Sequence, residues 1–517
     1  MKKLLAFAFA AVLATTSTAF ADDATDAKIQ ALQVQLDAVK AQLELLKAMK
    51  AAPPPAPPPR VGPSGLGIQR KPGDSLTFTS GNGADEVTLY GNLDLSLDHT
   101  TKGLQSFYPS SGDSPVGNTS YQSAVSTNLS YLGVRGLHKI GRRSNVVYQL
   151  ETQLDISATS GTVYTNSNND NVVKGGLTSR NSFLGVSTPI GTFRVGKTDA
   201  PYKNSTARMN PFNGQIGDYA VIMGNSGGDN RVEFGTRLDH SLWWDSPASW
   251  KGFALSLLVS PGQNRSSDNG IVASGEAGCA GGNAPGSGAG APLCNDGSFS
   301  SAYSVSAAWT NPNKRFYVTS AYEIHKSVNR TGDLGGDPRD IGDEQAWKTG
   351  FQWALSQQTT VNAVYEELSR SIAPALQFQN ERQRTGYWLA LTQTLDRNSN
   401  VNFGWAHANA SVGDLPQHNT PLAGANPDNS ANLYTLAYKR NLDRHFSWYL
   451  DYALTLNHPD AHYDLGAGGR GITTDCHDGS PITAFDPTVN PPVSGIGPHC
   501  YTGGRLQGFS TGLRFQF

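Results

Sequence analysis

From Val87 to Phe517 the chain alternates between apolar and polar positions in short runs, separated by polar, glycine-rich connections. In the first run Val87, Leu89, Leu93, Leu95 and Leu97 share one parity, while Thr88, Tyr90, Asn92, Asp94 and Ser96 share the other. Successive side chains of a strand point to opposite faces, so one face of this segment suits hydrocarbon and the other suits water. The alternation returns in Val146, Tyr148, Leu150, Leu154 and Ile156 against Gln149, Glu151, Gln153 and Asp155. It returns again in Trp347, Phe351, Trp353 and Leu355 against Lys348 and Gln352, and in Phe446, Trp448, Leu450, Tyr452 and Leu454 against Ser447, Asp451 and Thr455. The final run sets Phe509, Thr511, Leu513, Phe515 and Phe517 against Ser510, Gly512, Arg514 and Gln516.

This pattern predicts strands at 87–98, 127–138, 145–157, 180–189, 191–199, 231–245, 252–260, 301–310, 314–326, 346–355, 359–370, 385–395, 399–409, 430–441, 445–457 and 504–517. That is about sixteen, an even number, as closed single-chain bacterial barrels have. Compact turns at 138–144, 189–191, 245–251, 311–313, 356–358, 396–398 and 442–444 alternate with long polar stretches at 99–126, 158–179, 200–230, 261–300, 327–345, 371–384, 410–429 and 458–503. One end is trimmed and the other ornate, which matches periplasmic turns and extracellular loops. A soluble sandwich has no reason to segregate its loop lengths in this way. The expected fold class is all-β: a transmembrane antiparallel up-and-down barrel over 87–517, in the outer membrane of a Gram-negative cell.

Upstream, Lys2 and Lys3 precede an apolar run from Leu4 to Ala14, and Ala19-Phe20-Ala21 ends in a small-x-small pattern. Residues 1–21 therefore read as a secretory signal peptide. In 22–50, Ile29, Leu32, Leu36, Val39, Leu43 and Leu46 recur at alternating steps of three and four. This is a short heptad seam, read either as a periplasmic coiled coil or as an amphipathic helix lying on another surface. The linker 51–86 opens with the proline run 53–59, a semi-rigid extended spacer. The Gly- and Ser-rich stretch 61–85 carries no predicted element.

Composition changes this picture little. Net charge is −2 and Gly is abundant at 56 residues, values a soluble exported β-protein could share. Mean hydropathy is −0.38, because a water-filled barrel needs apolar residues at only alternate strand positions. Two cysteine pairs, Cys279 with Cys294 and Cys476 with Cys500, each fall inside one loop-like stretch. In an oxidising compartment two local disulfides are a simpler reading than a Cys/His metal site using His477 and His499, because the close ligand pairs of zinc modules are missing.

Several stretches resemble the general trimeric porins of Neisseria, Bordetella and Burkholderia type: Leu89-Tyr-Gly-Asn-Leu-Asp94, Ser130-Tyr-Leu-Gly-Val-Arg-Gly136, Asn145-Val-Val-Tyr-Gln-Leu-Glu151, Arg180-Asn-Ser-Phe-Leu-Gly-Val-Ser187 and Gly191-Thr-Phe-Arg-Val-Gly-Lys197. The resemblance implies a homotrimer passing ions and small hydrophilic solutes passively, with a last phenylalanine read by the assembly machinery. It also implies a third loop, here 199–230, folded inward to narrow the lumen. Asp199, Asp218 and Asp229 would lie on that loop. Parity would turn Arg135, Arg194, Arg237 and Arg514 toward it if Leu132, Val134, Phe193, Val195, Leu238, Leu513 and Phe515 face lipid. Opposed acids and bases across a narrow gap make a transverse field that favours polar solutes.

Arg142 and Arg143 read as solvated charges in a short turn, and Trp243, Trp244, Trp250, Trp388 and Tyr501 as anchors at the membrane interfaces. Extended helical N-termini also occur on porins resembling dicarboxylate channels, so a preference for small organic anions is the second reading. A third is a structural tether, in which 22–60 contacts the cell wall. An embedded hydrolase is the enzymatic rival, and the chain shows no nucleophile motif for it, no phosphate loop and no motif for nucleic acid or a cofactor.

Overall fold

The computed structural model describes residues 69–70, 76–104, 119–154, 156–157, 180–224, 234–235, 237–261, 299–329, 341–371, 373–375, 383–411, 428–458, 461, 463, 465–466 and 505–517. The signal segment, the heptads, the proline run, all four cysteines, Asp229 and Tyr501 lie outside these residues.

Among the described residues, nineteen strands form one sheet. They are β1 (Gln69–Arg70), β2 (Thr77–Thr79), β3 (Asp85–Leu104), β4 (Thr119–Thr127), β5 (Tyr131–Lys139), β6 (Asn145–Gln153), β7 (Ser182–Thr188), β8 (Gly191–Asp199), β9 (Arg237–Asp245), β10 (Phe253–Pro261), β11 (Ser301–Thr310), β12 (Phe316–Asn329), β13 (Ile341–Ala354), β14 (Thr359–Ser371), β15 (Arg384–Thr394), β16 (Ser399–Ala408), β17 (Ala431–Asn441), β18 (Phe446–Asn457) and β19 (Arg505–Gln516). From β5 onward each strand pairs antiparallel with the next, and β19 returns to β3, so the sheet has no free edge.

The ring holds sixteen strands because some of the nineteen are pieces. Both β4 and β5 pair with the same edge of β3, one against Leu95–Leu104 and the other against Asp85–Asn92. They are halves of one strand, broken at Asn128–Ser130 by a bulge in which Leu129 takes φ 55°. On the opposite edge of β3, β19 stops early: Gly91 N donates to Phe517 O at 3.0 Å, and Phe517 N to Gly91 O at 3.1 Å. Below that point β2 takes over, pairing with Glu86–Thr88. An N-terminal segment from the stretch without a predicted element thus completes the last strand.

The alternation read from the sequence is realised as two surfaces. Outward residues are strongly exposed although apolar: Leu184 at 63%, Val195 at 57%, Leu97 at 55% and Leu436 at 50%. Inward neighbours such as Asp94, Asp98 and Thr100 are fully buried. A continuous apolar exterior of this kind is a lipid-facing surface. Aromatic clusters lie on it: toward the short turns lie Phe193, Trp244 and Trp250, and Phe316 with Phe351, and higher up a row runs from Trp347 through Tyr365 and Tyr387 to His407. Replacing Leu436 by arginine is expected to lower stability by about 2–4 kcal/mol, the cost of a cation on the lipid face near mid-bilayer. Urea titration of the protein refolded in lipid vesicles measures it; an unchanged midpoint would place Leu436 elsewhere.

Several boundaries differ from the sequence reading. The strand β4 fell in an expected loop because Ser120, Ser123 and Ser126 dilute its alternation and the bulge then resets parity. The first turn of β13, with Asp343 and Gln345 outward, stands above the apolar band and carries no alternation to detect. Leu238 was expected against lipid; it is fully buried inside, clustered with Trp243, Leu258 and Ala302. His240 at φ 51° and the register shift after Gly196 let both Leu238 and Ser241 turn inward.

Candidate functional site

Between β8 and β9, residues 200–224 fold into the barrel, as expected of the third loop. Ala200 is extended, Pro201 starts helix α1 (Pro201–Thr206), and a 3-10 turn continues it through Met209. Tyr202 N donates to Ser304 Oγ at 3.0 Å, which sets the helix against β11. From there the loop runs along the inner wall. Tyr202 Oη donates to Glu366 Oε2 at 2.8 Å, Gly224 N to Glu366 Oε1 at 2.6 Å, and Arg384 to the carbonyl of Ile222. Lys439 donates to Pro211 O and Gln215 Oε1, and Thr435 Oγ1 to Gly217 O at 3.0 Å.

Apolar packing supplies the rest. Trp388, fully buried, stands edge-on to Phe212 at 5.9 Å and tilted to Tyr219 at 5.2 Å, and donates from Nε1 to Met209 O at 3.0 Å. Its ring lies where a Cβ on Gly404 would sit, 2.3 Å from Cη2, so β16 must be bare there. Trp388 and the buried Trp243 were expected at the membrane interfaces; both turn inward, one under the loop and the other edge-on to Phe183 at 5.4 Å. Parity carried the signal: Trp388 opposes Tyr387 and Leu389, which face out, and keeps company with Gly386 and Ala390.

The expected pore residues fall into three groups. At the loop's root Arg237 pairs with Asp199 at 3.1 Å, and Asp199 also binds Lys203 at 3.0 Å and Asn181 at 3.0 Å. Asp218 is turned into the loop, accepting from Gly214 N at 2.8 Å, Ala220 N at 3.0 Å and Asn210 Nδ2 at 2.6 Å. Burial pushes its carboxyl above the usual carboxylate range, while these three donors pull it back. On the wall, Arg194 pairs with Asp245 and stacks 5.1 Å over Phe183, and Arg514 Nε donates to Asp94 Oδ2 at 2.6 Å. Arg135 is exposed, 5.0 Å over the ring of Tyr90, whose hydroxyl donates to Glu151 at 2.9 Å.

A family model described as Gram-negative porin matches residues 75–459. The chain belongs to the Gram-negative porin family. Major outer membrane protein P.IA of Neisseria meningitidis serogroup C is 25% identical to this porin over 192 residues, 35% of the chain and 43% of the relative. Protein P.IB of Neisseria gonorrhoeae is 26% identical over 191 residues, 35% of the chain and 45% of the relative. The match thus spans less than half the length of these relatives. Among solved structures, the anion-selective porin from Comamonas acidovorans shares the fold with a TM-score of 0.56 at 14% identity, covering 84% of this chain and 100% of that one. The family and the lipid-facing barrel place this porin in the outer membrane.

Among the described residues, further cations of the lumen were not singled out in the sequence. Arg180 Nε donates to Glu151 Oε1 at 2.6 Å and its guanidinium stacks 4.8 Å over Tyr131. Lys348 lies 4.0 Å over Tyr202, and Lys439 holds the loop as described. Arg208, on the loop, is exposed and stacks 4.3 Å over Tyr317. The two wall lysines sit at inward parity, the one available signal; nothing in the sequence marks Arg208.

Proposed function

We propose that this porin is a passive channel for small hydrophilic solutes, narrowed by residues 200–224, and that it favours small organic anions over cations. The observation that carries the preference is the fate of the charges. Asp199 and Asp218 are consumed by partners at the root and within the loop, whereas Arg208 on the loop and Arg135 on the wall stay exposed. Exposed cations in a narrow gap between low-dielectric walls concentrate anions. The anion selectivity named for the Comamonas protein is consistent with this reading.

Reversal potentials in a salt gradient test it. The wild type is expected to pass anions preferentially, and Arg208→Glu to lower the anion-to-cation permeability ratio by at least about twofold. A cation-selective wild type overturns the preference. Liposome swelling with dicarboxylates against sugars of equal size then identifies the solute class.

Family resemblance further supports a homotrimer, and the heptads of 22–50 would suit three adjacent copies or contact with the cell wall. Deleting 22–60 separates these roles, since a channel still conducts without a tether.

A further inference from the structure

The last long connection re-enters the barrel directly after β18. Ala461 N donates to His458 O at 2.9 Å. Asn457 and Tyr463 exchange two hydrogen bonds, Asn457 Nδ2 to Tyr463 O at 2.9 Å and Tyr463 N to Asn457 Oδ1 at 2.8 Å, which fix the reversal. Beyond it the chain lies edge to edge with the tip of the constriction loop: Ile216 and Gly466 form an antiparallel bridge, and Gly217 N donates to Leu465 O at 2.8 Å. Ala461, Tyr463 and Leu465 are buried in the same apolar cluster as Ile216, Phe212 and Trp388. The tip is therefore held from two sides, by Thr435 of the wall and by this returning segment.

We infer that Ala461, Tyr463, Leu465 and Gly466 form a clamp that positions the constriction loop, so that the root of the last extracellular loop sets the width and steadiness of the pore. The inference rests on the channel reading. Backbone-to-backbone contact transmits position directly, because neither partner has side-chain freedom to absorb a displacement. Gly466 shows how close the contact is. Its φ is +120°, and a Cβ there would lie 2.7 Å from Gly217 N and 3.1 Å from Asp218 N. Those are atoms of the constriction loop's own backbone. Any side chain at this position is a wedge between clamp and loop.

Single-channel recording of the full chain in planar bilayers tests this with two variants. Gly466→Val drives the wedge in; Leu465→Ala keeps the backbone bridge and removes apolar burial, and serves if the first fails to fold. Heat-modifiable migration on gels establishes folding. Each folded variant is expected to spend at least about ten times longer off its main open level than the wild type and to close at lower voltage, because a tenfold shift needs only a small bias between docked and undocked loop. A conducting wild type with folded variants of unchanged conductance, noise and closing voltage overturns the clamp, even if their unfolding midpoints fall. A folded wild type that is electrically silent overturns the channel reading instead.

Discussion

Replacing Trp388 by alanine is expected to release the constriction loop while leaving the barrel standing. The indole fills the space between β16 and the loop, touches Phe212 and Tyr219, and satisfies the carbonyl of Met209. Truncating a buried aromatic of this size costs about 3–5 kcal/mol, most of it charged here to loop docking because the strand hydrogen bonds of β15 are untouched. The hydrogen bonds from Tyr202 and Gly224 to Glu366 still tether the root, so the loop should swing rather than leave. Larger unitary conductance and lost discrimination between solutes near the size limit are the expected readings. Trp388→Phe restores most of the packing without the Met209 hydrogen bond and should fall between the two. Wild-type conductance in the alanine variant would show that the loop does not depend on this contact.

The second large effect is expected at the barrel seam. Asp94 of β3, fully buried, accepts Arg514 Nε from β19 at 2.6 Å and Tyr449 Oη from β18 at 2.8 Å, and Asn128 Nδ2 donates to the same tyrosine oxygen at 2.8 Å. Asp94→Ala leaves the guanidinium and the phenol without their acceptor. Removing one member of a buried pair costs about 3–5 kcal/mol, and the lower end applies because the Arg514 side chain retains some exposure to the lumen. A fall in the urea midpoint measures this. Adding Arg514→Met to the alanine variant should recover part of the loss, since the stranded charge is then gone. Equal damage in the single and double variants would show that the pair is not coupled.

Strand number, order and facing were legible because lipid and water impose opposite demands on alternate side chains, and Leu93, Leu95 and Leu97 answer one demand as plainly as Asp94, Ser96 and Asp98 answer the other. The signal fails where the environment stops alternating. Above the membrane, Asp343 and Gln345 face water on the outside too. At Leu129 and His240 a positive φ resets the count. The inner wall is apolar in places, so residue type misled at Trp243 and Trp388, although parity turns Trp388 inward, and at Leu238 the reset alternation places an apolar side chain inside. The inward loop itself was placed from family likeness. The partners of its charges are set by local turns that likeness does not specify: Asp218 is spent on the turn that it closes.

The composite last strand has a consequence for where the chain needs its ends. Phe517 faces Gly91 and Leu76 faces Leu89 along one edge of β3, so the two segments are collinear and about 7 Å apart at 3.3–3.4 Å per residue. One bridging residue would fuse them into an uninterrupted strand. New termini could then be opened at a short turn such as Ser356–Gln358, giving a circular permutant whose ring of hydrogen bonds is the same and whose point of closure has moved to another meridian.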